Sequence, residues 1–147
     1  MDDILGFDQP EVEFLILADY VEAMHGKVYM MGGGWENIAV HDFEAPVTLQ
    51  AAVGVQVPWN ATNRPHTISV EIQTEDGETL ATVDGNILAG RPPTMEHGAS
   101  QRTIFAMKIP VLFPAPGTYV VASQINETPA KRVTFRALAA HPPAHAH

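Results

Sequence analysis

The sequence predicts an all-β protein: a single antiparallel β-sandwich of about eight strands, immunoglobulin-like in its layout. Three observations carry this. Apolar residues recur at every second position through most of the 147 residues, the period of a strand with one face buried. Proline, glycine and pairs such as His25-Gly26 and Asp76-Gly77 interrupt that pattern at short spacing. No stretch holds a helical period long enough to cover a sheet, so the layer over one sheet must be another sheet. A closed barrel is the second choice.

Taken in order, residues 1–10 are acidic and without period, and are expected to form a flexible arm ahead of a domain spanning 11–138. Val12, Phe14, Ile16, Ala18 and Tyr20 alternate with Glu11, Glu13, Leu15, Leu17 and Asp19; the middle is apolar on both sides, as in a strand covered on both faces. His25-Gly26 marks a turn, and Lys27 to Met31 reads as the return strand. Gly32-Gly33-Gly34 is not followed by a helix start or a lysine, so a bulge or strand end is expected rather than a phosphate cradle. Pro46 opens a strand with Val47, Leu49, Ala51, Val53, Val55 and Val57 on one side. Gly54 and the alanines on its other side suggest that something approaches closely there. Residues 58–65 form a loop, Ile68, Val70 and Ile72 mark the next strand, and Asp76-Gly77 is a hairpin signal. Residues 79–89 return, with a bulge expected at Gly85, and 90–101 form the longest irregular loop.

The last part of the domain has the strongest pattern. Thr103, Phe105, Met107, Ile109, Val111 and Phe113 form one apolar face, and Pro114, Pro116 and Gly117 then break the run. Tyr119, Val121 and Ile125 belong to a second strand, residues 126–130 to a polar loop, and Val133 and Phe135 to a third strand. The expectation is three consecutive antiparallel strands sharing one face. Residues 139–147, with two adjacent prolines, are expected to be a flexible tail.

Charge narrows the function classes. The net charge is -9; residues 1–60 hold ten acids and only Lys27, whereas residues 101–147 hold five bases against Glu127 alone. This split can steer an acidic head against a basic end within one fold or between subunits. No dense basic run exists to neutralise phosphates, which argues against nucleic acid and, on the same ground, a membrane surface. Cysteine is absent, and no apolar run approaches the length of a membrane span. A cytoplasmic protein is the expectation.

With LADYVEAMHGKVYMMGGGWENI near the start and FPAPGTYVVASQIN followed by FRAL near the end, the chain resembles a family of small uncharacterised bacterial proteins common in actinobacteria. The resemblance spans nearly the whole chain. It implies a β-sandwich and no activity, substrate or catalytic residue, so no site is carried over from it.

The residues themselves offer little chemistry. His141, His145 and His147 are the only histidines close in sequence, and they lack the strand-borne His-x-His and glutamate of a cupin-like site. No metal and no cofactor are expected. No serine sits in a Gly-x-Ser-x-Gly elbow, and the acidic pairs fit an arm, a solvated face and a turn. An enzyme is therefore disfavoured. One constellation survives. If successive strands alternate in direction, the loops at 58–65, 90–101 and 126–130 emerge at one end, and the His25 hairpin is a candidate to join them. That end would gather Trp59, Asn60, Arg64, Arg91, Glu96, His97 and Arg102, as contacts for a ligand or a partner. The bland alternative is a set of ordinary polar loops with Trp59 tucked over the core.

The function predicted is a non-catalytic sandwich acting by protein contact or self-assembly, as a homo-oligomer or with a protein partner. The motive is the charge split and the doubly apolar runs at residues 14–17 and 118–122, which something must cover. The alternative is a small-ligand or carbohydrate site at the loop end carrying Trp59, Arg91 and His97.

Overall fold

Three tight turns fold neighbouring segments onto one another. In a computed structural model, residues 9–140 are described. The expected arm up to Asp8 and the expected tail from His141 onward, with its three histidines, lie outside the described residues. His25-Gly26 and Asn126-Glu127 each place two successive residues at positive φ, the backbone twist that a two-residue hairpin turn requires. They join β1 (Glu11–Met24) to β2 (Lys27–Gly33), and β8 (Gly117–Ile125) to β9 (Thr128–Ala139). The Asp76-Gly77 turn joins β5 (His66–Thr74) to β6 (Thr79–Ile87). The remaining strands are β3 (Asn37–Val40), β4 (Val47–Val57) and β7 (Gln101–Val111).

The described residues thus form an all-β protein of nine strands in two sheets, ordered β2-β1-β4-β7 and β3-β9-β8-β5-β6. The count exceeds the expected eight because β3, only four residues long, is too short for its alternation to register. It is also the exception to the expected antiparallel pairing: β3 runs parallel to β9.

One buried cluster draws on both sheets, with Leu15, Leu17, Val53, Val55 and Ile109 from the first and Ile68, Val70, Val121 and Phe135 from the second. At one end it is aromatic. Phe113 lies 4.7 Å from Tyr119 and 5.9 Å from Phe135, and Trp35 meets Phe135 edge-on at 5.7 Å. Fully burying a side chain such as Phe113 or Phe135 contributes about 1.5–3 kcal/mol. Trp35 lies between β2 in the first sheet and β3 in the second, on the crossing that begins at the three glycines.

Two expectations about neighbours are corrected. The run from β7 to β9 is not three adjacent strands: β7 pairs with β4 in the other sheet, and of the three only β8 and β9 pair with each other. The Pro114–Gly117 link is an arch that carries the chain from one sheet to the other. The Tyr119 hydroxyl donates to the Ala115 carbonyl and accepts from the Ala115 N–H, which fixes the arch against the strand it feeds. The bulge expected at Gly85 is also absent, since Gly85 sits in register opposite Ile68. The glycine is there for space: a Cβ would come within 3.0 Å of Phe105, which belongs to β7 of the other sheet.

The bulge that does matter falls in β1 between Val12 and Phe14. It turns Leu15 and Leu17 toward the main core and leaves Phe14 on the opposite face, where its ring lies across Gly54 of β4. Ala18, Val21 and Ala52 form a second, smaller buried cluster beside it. The apolar second sides at 14–17 and 118–122 are therefore covered largely within the chain; Val120 is 7% and Ala122 5% exposed.

Candidate functional site

The loop end is built from the finish of β4. Pro58 starts a single 3-10 turn, Trp59–Ala61, closed by Ala61 N–H to Pro58 O and Thr62 N–H to Trp59 O. Thr62 also donates its hydroxyl to Trp59 O at 2.6 Å. The loop before β7 folds onto this turn. The Arg91 guanidinium sits 4.0 Å over the Trp59 ring, donates to Trp59 O at 2.8 Å and to the Thr62 hydroxyl at 2.6 Å. His97 meets the same indole at 4.5 Å between ring centres. A cation on an indole face adds roughly 0.5–2 kcal/mol to the hydrogen bonds.

A third loop is tied in through His66, which is 5% exposed. Its Nε2 bonds to Ala61 O at 2.7 Å and Asn126 Nδ2 faces its Nδ1 at 3.0 Å. A carbonyl only accepts, so Nε2 carries the proton and Nδ1 accepts from the amide. Among the described residues no buried side-chain polar atom is left without a partner.

The structure thus brings together Trp59, Asn60, Arg91 and His97. Trp59, Asn60 and His97, with Pro58, Gly98 and Ser100, line an open cavity of about 500 Å³. Arg64 is exposed on the 58–65 loop, and exposed Glu96 closes a turn through its carbonyl to Ala99 N–H. Arg102 stands at the start of β7 at this same end, opposite Gln56. It pairs with Glu13 of β1; that guanidinium holds the Glu13 carboxyl below the usual range, and the carboxylate raises Arg102 in return. The His25 hairpin instead projects from the opposite end, because β1 begins beside Gln56 and runs away from Trp59. Among the described residues no group of three or more His, Cys, Asp or Glu is placed to hold a metal.

The same hairpin carries a surface that the sequence reading did not single out. Pairing of β1 with β4 stops at Ala18, whereas pairing with β2 continues to Met24 opposite Lys27, so the hairpin extends as a two-stranded ribbon. Tyr20 stands opposite Met31 and Glu22 opposite Tyr29, which puts all four and Met24 on one face. Tyr20 is 42% exposed, Met24 45%, Tyr29 50% and Met31 71%. The Tyr20 hydroxyl donates to Glu22 at 2.7 Å, and that carboxylate pushes the phenol above its usual value. The signal was available in KVYMM read together with the turn. Alternation seen one strand at a time hides it, because the pairs form only once the register is known.

The chain belongs to a family of unknown function, DUF6941, whose model matches residues 13–138. No curated protein matches it in sequence. Among solved structures it is similar to a bacterial adhesin from Mobiluncus mulieris containing intramolecular disulfide, isopeptide and ester bond cross-links. Identity there is 13% with a TM-score of 0.48, over 88% of this chain and 57% of the adhesin chain. It is also similar to a glycosyl hydrolase family 2 member from Bacteroides cellulosilyticus DSM 14838, at 13% identity and a TM-score of 0.38, over 67% of this chain and 13% of that one. A β-glucuronidase from the same hydrolase family matches at 14% identity and a TM-score of 0.39, over 90% of this chain and 11% of that one. The chain therefore spans less than two thirds of each of these proteins, and likeness at this level carries no activity across to it.

Proposed function

We propose that, as a member of this family, the chain is a non-catalytic, immunoglobulin-like β-sandwich that acts by protein contact, first of all with a second copy of itself. The layout is supported by two sheets drawing on one core and by Tyr119, whose hydroxyl ties back to the arch before β8 as in the tyrosine corner of such sandwiches. The observation that carries the contact is the ribbon face of Tyr20, Met24, Tyr29 and Met31, large apolar side chains left in water on a two-stranded element. Aromatic and methionine side chains are the types enriched at protein interfaces. The net charge of -9 favours a protein partner over nucleic acid, and the absence of cysteine fits a reducing, cytoplasmic setting.

Native mass by light scattering over a range of concentrations tests this. The wild type is expected to exceed 15.9 kDa, and Met31→Lys to return the mass to the monomer. A wild type that stays monomeric throughout overturns the proposal.

A second reading rests on the cavity beside Trp59: a small ligand or sugar lying against the indole edge and held by Asn60 and His97. Trp59→Ala separates the two. Under the contact reading it leaves the native mass unchanged; under the ligand reading it removes the thermal stabilisation that a ligand from a screen gives the wild type.

A further inference from the structure

We infer that two copies of this chain join edge to edge along β2, antiparallel and in register about Met30, so that the two four-stranded sheets become one. This rests on the contact reading above and adds its geometry.

Every sheet edge offers unpaired backbone donors and acceptors, and proteins blunt the edges they keep apart. Three of the four edges here are blunted or covered. β7 carries Pro110, which withholds a donor, and the charges of Lys108 and Arg102. β6 lies beside β7, with Phe105 of β7 packed against Gly85 of β6. β3 is four residues long. β2 carries the fewest of these devices, all of them at its ends: the charge of Lys27 and a bend at Gly32, whose φ is +63°. It contains no proline, and six of its seven residues are exposed.

The occupant follows from β2 being its own complement. A two-fold axis through Met30, the middle residue of Lys27–Gly33, sets Tyr29 opposite the second copy's Met31 and the reverse, two aromatic–thioether pairs. It sets Lys27 opposite the second copy's Gly33. Beside that glycine, Gly32 stands at a φ of +63°, and the Asp19 carboxylate of the same copy occupies the space where its side chain would be. A partner with a different edge would have to supply an aromatic and a thioether at these same positions.

The chain has no cysteine, so a single introduced thiol reports on the seam. Directly opposed residues of antiparallel strands have Cα atoms about 4.5–5.5 Å apart, within the span a disulfide bridges. Met30→Cys, at a position 36% exposed, is expected to convert under mild oxidation to a covalent dimer. Met24→Cys, as exposed but one strand inward, is expected to stay mostly monomeric on denaturing gels. A wild type that associates while Met30→Cys cross-links no faster than Met24→Cys overturns the strand seam and leaves the contact reading standing. A wild type that is monomeric at every concentration overturns both.

Discussion

A side chain at position 54 would occupy space now filled by the Phe14 ring: a Cβ there would lie 2.2 Å from Phe14 Cε2. Gly54→Ala must therefore push the ring off β4. The expected cost is about 1–3 kcal/mol, the usual range for overpacking. In a Phe14→Ala background the same change should cost much less, because the obstruction is gone. Urea midpoints of the four proteins read this coupling; equal costs in both backgrounds would show that the ring is not the reason for the glycine. That something lies close over Gly54 was legible from the run of glycine and alanines. Its identity was not, because Phe14 reaches that face only through the bulge after Val12, and a bulge adds one residue without leaving a mark in the pattern. Trp59 shows the same limit: the loops that would surround it could be named, but the clasp by Arg91 depends on the path of residues 88–100.

Among the elements, the β8–β9 hairpin holds a local conflict. Its turn needs positive φ at two positions, and Asn126 at 49° suits one of them; Glu127 at 69° is a side chain in the left-handed region, where it costs roughly 1–2 kcal/mol. Glu127→Gly should relieve this and raise stability by about 0.5–1 kcal/mol after the greater freedom of glycine in the unfolded chain is set against it. Thermal or urea unfolding checks the sign; a loss of stability would mean that the Glu127 side chain contributes more than its backbone costs. The conflict also explains what could be read beforehand. Turns ending in glycine, at 25–26 and 76–77, announce themselves. A turn built from Asn-Glu reads as a polar loop. The arch from β7 to β8 was misread for a related reason: proline and glycine mark a reversal but not whether the chain returns to the same sheet.

At the scale of the molecule, the uneven charge closes one link across the fold. Glu13, from the acidic head, pairs with Arg102, from the basic end. Because its carboxyl titrates below the usual value in the folded chain, the pair adds stability above the unfolded carboxyl's range, and this is lost as pH falls through the lower, folded value. Glu13→Gln should therefore lower stability slightly near neutral pH and have no effect in strong acid. Both side chains are partly in water, so salt should shrink the difference. Unfolding midpoints of both proteins across an acid series test it; a gap that widens on acidification would contradict the sign. A charge split was visible in the sequence, whereas this pair was not, since Glu13 and Arg102 lie 89 residues apart.

The parallel pairing of β3 with β9 also bears on time. Residues 37–40 must find residues 136–139, 99 positions further along the chain, and β3 has no other strand beside it. The three hairpins close over a few residues each, while this contact waits for a large loop whose entropy must be paid before any bond forms. The crossing with Trp35 is thus the seam that a newly made chain closes late. Until β9 is complete, the first forty residues hold an edge that has nothing to pair with.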